Sequence, residues 1–211
     1  DRSMTLKLNG SSSGYTAIDA PAAAGSNTLV LPTTNGTAGQ VLQTDGSGNL
    51  SWVTLPTYND VIDTWRLNAL NTGDQDPITA NWEREDDQAS SLYGSGVSES
   101  SGVFTFPKSG YYLITFHHQF NISGNERYAE TYIVSSTNGS NWNNAARGGS
   151  NITQVDGANT MGSCHIDWVF DVQDTNHAVR FAVYYSNNSV TTHGNTDMNT
   201  TYVSFLRLRD T

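Results

Sequence analysis

The sequence predicts an all-β protein, with an N-terminal β fibre shaft followed by an antiparallel β-sandwich. Three observations carry that prediction. Apolar and polar residues alternate with a period of two in several blocks, and no stretch repeats at the helical interval. Gly, Ser, Thr and Asn punctuate the blocks at short spacing, as strands joined by many turns require. Hydrophobic residues make up 36% of the chain and charged ones only 14%, a balance too apolar for disorder.

Residues 1–57 carry five charges, Asp1, Arg2, Lys7, Asp19 and Asp45. Short apolar pieces such as Thr28-Leu29-Val30-Leu31 are cut by Pro21, Gly25, Pro32, Gly36 and Gly39. The stretch GTAGQVLQTDGSGNLSW, residues 36–52, spells strand, turn, strand. Val41, Leu42, Leu50 and Trp52 flank its turn, where Gly46 and Gly48 supply the positive φ of a tight hairpin. A lone hairpin is marginal in water. Identical chains wound together, each giving strands to a shared axis, would bury these side chains and form a shaft. The competing expectation is a flexible Gly/Ser linker. Because the first residue is Asp1, the chain is expected to begin inside a longer product.

Residues 58–63 are expected to link this segment to a head domain over 64–211. In YYLITFHHQF, Tyr112, Ile114, Phe116, His118 and Phe120 share one face. In CHIDWVFDV, Cys164, Ile166, Trp168, Phe170 and Val172 do so, and VRFAVYY aligns Val179, Phe181, Val183 and Tyr185. Strands at this spacing indicate an antiparallel sandwich or jelly roll, counted here as eight strands. Successive connections of an antiparallel chain fall at alternate ends. The tight turns PKSG (107–110), TNGSN (137–141) and QDTN (173–176) therefore gather at one end. The open segments NISGNE (121–126), GGSNITQVDGANTMG (148–162) and NNSVTTHGNTDMN (187–199) gather at the other. Both ends of the head come out beside the tight turns, so the open loops are expected to point away from the shaft.

Two strands are apolar on both faces. In the last, Val203 and Phe205 lie on one side and Tyr202, Leu206 and Leu208 on the other; Tyr111 and Leu113 give YYLITF a second apolar face. Such strands suit a sheet with the sandwich core behind it and sister chains in front. Tyr111, Leu113, Tyr202, Leu206 and Leu208 are the expected subunit contacts.

GVFTFPKSGYYLITFHHQF resembles the paired second and third strands of the complement-component-1q and tumour-necrosis-factor jelly rolls. VFDVQDTNHAVRFAVYY is similar to their penultimate hairpin, and TTYVSFLRLRDT to their last, central strand. APAAAGSNTLVLP followed by GTAGQVLQTDGSGNLSW resembles a module of tailed-bacteriophage tail fibres, marine ones especially, that also occurs in bacterial surface proteins. Both resemblances imply homotrimers. The chain departs from the mammalian heads in lacking a collagen repeat, so immune and cytokine roles do not carry over.

The candidate sites follow from position and chemistry. The open loops carry Asn125, Arg127 and Tyr128, then Gln154 and Asp156, then His193 and Asp197. Such amide, carboxylate and aromatic groups suit a glycan or protein receptor on a host surface, and threefold repetition raises weak contacts to useful avidity. GDQDPITANWEREDDQ gathers Asp74, Asp76, Asp86 and Asp87, a candidate Ca²⁺ site, although the EF-hand spacing is absent. His118, on an apolar face, is expected to be packed or at an interface, with an axial metal ligand as the alternative.

Several classes are disfavoured. The net charge is −10 and the only lysines are Lys7 and Lys108, so nucleic acid is not an expected partner. No apolar run of about 18 residues spans a membrane. Cys164, the sole cysteine, rules out an intrachain disulfide and reads as a small buried hydrophobe. Ser163, His165 and Asp167 alternate on a strand and so lie roughly 6.5–7 Å apart, too far for a hydrogen-bonded triad. Glu83 and Glu85 could stand at glycosidase spacing, as can many pairs in a sheet. The chain is therefore expected to be non-enzymatic. It reads as the structural and receptor-binding part of a virion tail fibre, joined to other tail proteins through its N-terminal side. The alternatives are a trimeric adhesin or secreted lectin-like protein of a bacterium, and a polysaccharide-processing tip enzyme.

Overall fold

Strand propensity and alternation decide the architecture of the computed structural model, which describes residues 5–56, 58–86, 92–122, 127–152, 160–186 and 188–211. The chain divides into two units, Asp1–Leu55 and Pro56–Thr211, each described by itself.

The first unit holds two antiparallel hairpins. β1 (Leu6–Asn9) pairs with β2 (Tyr15–Ile18), and β3 (Gln40–Thr44) with β4 (Leu50–Thr54). The second is the hairpin read from residues 36–52. Asp45 caps its turn, accepting from the backbone N–H of Ser47 at 2.7 Å and from Asn49 Nδ2 at 2.7 Å. Gly36 has φ +72°, and a Cβ there would stand 2.6 Å from the Trp52 indole, so only glycine lets the ring lie against the backbone. Trp52 Nε1 donates to Thr34 O at 2.7 Å. Leu6, Leu8, Ile18, Leu29, Val30 and Leu31 all remain exposed within this unit.

The second unit is a two-sheet sandwich. Its strands in chain order are β5 (Ile62–Leu67), β6 (Asn71–Thr72), β7 (Trp82–Arg84), β8 (Ser98–Ser100), β9 (Val103–Thr105), β10 (Gly110–Ile122) and β11 (Tyr128–Ser136). They continue with β12 (Asn143–Asn151), β13 (Thr160–Val172), β14 (Ala178–Tyr185), β15 (Thr191–Thr192) and β16 (Tyr202–Arg209). One sheet runs β6-β15-β10-β16-β5-β7, with β13 also paired to β10; the other runs β12-β11-β14-β9-β8. Eight strands were expected and twelve are described, because short pieces such as β6, β7 and β15 extend the first sheet.

The core lies between the sheets. Tyr112, Ile114, Phe116 and Phe120 of β10 are fully buried, as are Phe181 and Val183 of β14 and Val203 and Phe205 of β16. Phe104 meets Trp65, Trp82 and Phe181 edge-on at 5.7, 5.3 and 5.4 Å between ring centroids. His118 is packed rather than axial. It is fully buried, with Nδ1 2.9 Å from Thr131 Oγ1 and Nε2 2.7 Å from the Tyr185 hydroxyl. Burial, reinforced by His117, holds its pKa down to about 3.

Residues 58–63, expected as a linker, are part of the head. Val61 and Asp63 are fully buried and Ile62 opens β5. The reason is the Asp63 carboxylate, which accepts from the backbone N–H of Val97 at 2.7 Å, Trp65 Nε1 at 3.1 Å and Arg84 Nε at 3.0 Å. A second buried ion, Arg207, donates to Ser109 O at 2.8 Å and Asp60 Oδ1 at 3.0 Å, and also bonds Asp210. Asp60 further pairs with Lys108. Both ends of the head thus meet the 107–110 turn.

Candidate functional site

Strand alternation builds the first candidate surface, the side of β5, β16, β10 and β13 turned away from the core. Cross-strand partners share a face, so the register fixes its rows. Leu113 lies between Leu206 and Val169, and Leu206 is paired in turn with Ile62. Tyr111 carries the Arg209 guanidinium 5.9 Å from its ring centre, and a shallow hollow opens among Tyr111, Val169, Leu208 and Arg209. Val169 is 48% exposed although its neighbours are apolar. Toward the other end of the face the character changes. His117 stands between Tyr202 and His165, with ring centroids 5.2 and 6.0 Å away. Burial, and then the neighbouring His165, lower the His117 pKa. Tyr111, Leu113, Tyr202, Leu206 and Leu208 are all half-buried on this one face.

The open-loop end is the second surface. Ile122 pairs with Thr160, Tyr128 with Asn151, and Ala129 with Tyr185, so the strand ends at Ile122, Asn151 and Tyr185 mark this end of the sandwich. Arg127 donates its backbone N–H to Ser186 Oγ at 2.8 Å, joining the first and third connections, and Tyr128 is exposed beside it. His193 donates its backbone N–H to Gln119 O at 2.8 Å. Asp197 is exposed in a turn whose backbone is held by Asn195 Oδ1 at 2.7 Å. Asn125, Gln154 and Asp156 lie outside the described residues.

The acidic candidates do not come together. Asp74 accepts from the Tyr185 backbone N–H at 2.8 Å, and Asp76 pairs with Arg180 at 3.5 Å and accepts from the Tyr184 hydroxyl. Asp86 bonds Arg66 at 2.9 Å, and Asp87 lies outside the described residues. Protein donors on separate elements thus hold the carboxylates that a Ca²⁺ ion would need to share. Among the described residues no group of three or more His, Cys, Asp or Glu side chains could hold a metal ion. Glu83 faces Arg66 at 3.7 Å and accepts from Thr196 Oγ1 at 3.1 Å. Ser163, His165 and Asp167 lie exposed on one face of β13 with no hydrogen bond among them.

A third group escaped the sequence reading. On the solvent side of the other sheet, Tyr132, Trp142, Arg180 and Tyr184 gather with Asp76, Glu130 and Arg147. Tyr132 and Tyr184 meet edge-on at 5.4 Å, and Arg180 lies 4.7 Å from the Trp142 ring centre. The signal was available in the alternation. Tyr132 and Tyr184 occupy outward positions of strands whose inward positions are Ile133, Phe181 and Val183.

No protein-family model and no curated protein matches the chain. Among solved structures, Eiger TNF from S. frugiperda aligns with 72% of this chain and 94% of its own, at 11% identity and a TM-score of 0.56. Murine APRIL covers 70% of this chain and 99% of its own at 13% identity, with a TM-score of 0.48. The likeness to the first shows that the head has the TNF-like jelly-roll fold.

Proposed function

We propose that this chain is the distal, receptor-binding part of a homotrimeric virion tail fibre. Its N-terminal segment supplies strands to a shaft, and the head meets a glycan or protein on the host cell surface through its open loops. The observation that carries the trimer is the apolar outer face of a sheet whose inner face already closes the core. Leu113, Leu206, Leu208, Ile62 and Val169 have no reason to lie there unless sister heads cover them. The exposed Leu6, Leu8, Ile18, Leu29 and Leu31 of the first unit support a wound shaft in the same way. The phage-fibre assignment rests on the resemblance of residues 20–52 to the fibre module. A binding role is favoured over a catalytic one because Asp76, Glu83 and Asp86 are tied to arginines and no hydrogen bond links Ser163, His165 and Asp167.

Residues 187–199, expected as an open loop, carry β15 and the fully buried Val190 and Thr192, so the test is to change only the exposed turn 196–199 to Gly and Ser and measure sedimentation and attachment to host cells. The trimer is expected to persist and attachment to be lost. Undiminished attachment in that variant, and in matching changes to the other two loops, would remove the loops from recognition. Absence of the chain from purified virions would favour a bacterial surface adhesin of the same architecture.

A further inference from the structure

The solvent side of the β12-β11-β14 sheet carries an aromatic strip that the proposed subunit packing does not use and that meets the open-loop end only at Tyr128. Glu130 faces Tyr184 across β11 and β14, Tyr132 faces Arg147 across β11 and β12, and Arg180 lies beside Val134. Trp142, Tyr132 and Tyr184 are half-buried, while Tyr128 is exposed in the same row of β11. From Tyr128 to Tyr132 the strip spans about 13 Å along the strand, longer than one sugar ring.

We propose that this strip is a binding site for an uncharged oligosaccharide. The C–H face of a pyranose is apolar and weakly positive, and it stacks on the negative π-face of an aromatic ring. The hydroxyl rim of the sugar needs donors and acceptors beside that ring. Here the Tyr132 hydroxyl donates to Glu130 at 2.6 Å and the Tyr184 hydroxyl to Asp76, so both phenol oxygens keep acceptor capacity toward a ligand. Arg147, 62% exposed in its side chain, offers further N–H donors.

Two properties select this class over others. The charges cancel in pairs, Arg180 with Asp76 and Arg147 with Glu130, so the strip has no surplus cation to hold an anionic polymer. A protein partner would find no aliphatic anchor: of the exposed large hydrophobic side chains among the described residues, only Tyr128 belongs to this strip. The platform is also preorganised. It stands on paired strands and is braced by Arg180 against Trp142 and by Arg147 5.8 Å from the Tyr132 ring centre. Because it belongs to the sheet opposite the proposed subunit contact, trimer formation leaves it open.

The experiment titrates the unmodified chain with cellohexaose, maltohexaose, mannohexaose and chitohexaose, following saturation-transfer NMR and tryptophan fluorescence. Polygalacturonate serves as the acidic arm. At least one neutral hexaose is expected to bind, with affinity reduced about tenfold or more in Trp142→Ala and in Tyr132→Ala, and largely kept in Trp142→Phe. A crystal soaked with the binding hexaose is expected to show it across Tyr132 and Trp142, a readout that needs no variant to fold. Changing the exposed turn 196–199 to Gly and Ser should leave this binding unchanged, which separates its failure from that of the loop hypothesis. No binding by any neutral hexaose, binding of the acidic polymer alone, or a soaked sugar elsewhere on the head would overturn the proposal.

Discussion

Acid should unfold this head through one imidazole. His118 is fully buried between the sheets, and its two ring nitrogens, one an N–H donor and the other an acceptor, are both engaged by Thr131 and Tyr185. Its folded pKa lies near 3, below the ordinary 6.5. The unfolded chain therefore takes up the proton first. The contribution of a neutral His118 is fully present above pH 6.5 and is lost as pH falls toward 3, at about 1.4 kcal/mol per pH unit. By pH 4.5 the loss reaches about 3 kcal/mol, a large share of an ordinary domain's stability. His118→Leu removes the titration but strips Thr131 of a buried partner, costing about 1–3 kcal/mol at neutral pH. The two proteins should be compared by urea unfolding at one protomer concentration between pH 7.5 and 4.5. The native protein is expected to be the more stable at pH 7.5, with the gap closing or reversing by pH 4.5. Parallel stability curves would refute the reasoning, since they would mean that the folded core accepts the proton as readily as water does.

Three further outcomes are expected. Leu206→Asp places a carboxylate in the apolar centre of the proposed subunit contact, and sedimentation should show the trimer dissociated or unfolded; a folded trimer in that variant would exclude this face. Arg207→Met leaves Asp60 with one cationic partner instead of two and frees both ends of the head, so thermal unfolding should show a loss of about 3–5 kcal/mol. Gly36→Val drives a side chain into the Trp52 indole at a left-handed backbone position, and should shift the tryptophan emission of the full chain while leaving the thermal unfolding of the head unchanged.

The alternation made much of this molecule legible in the sequence. Tyr112, Ile114, Phe116 and Phe120 were expected inward and are buried, and the outward set from Tyr111 to Leu208 was equally plain, because a period of two leaves a side chain only two directions. The alternation of turns between the two strand ends was legible for a related reason, since antiparallel neighbours must reverse at each turn. Long-range pairing was not. Asp63 looked like a linker residue because its partners Arg84 and Val97 lie 21 and 34 positions away, and nothing local marks them. Among the described residues the acidic run forms no cluster that could hold a metal, for the same reason. Its carboxylates meet Arg66, Arg180 and a Tyr185 amide, which sequence distance concealed. The aromatic strip was overlooked because outward tyrosines in a strand read as ordinary sheet residues until Trp142, from a turn, joins them.

The clasp of Arg207 on Asp60, Ser109 and Asp210 brings residues near the two ends of a domain of some 150 positions onto one guanidinium. A fold closed in that manner behaves as a plug-in cassette. Residues 60–210 could be spliced into a surface loop of an unrelated scaffold with short spacers and without stretching either protein. Equally, Asp60 and Asp210 could be joined directly and new termini opened at the far end, in the 187–199 segment.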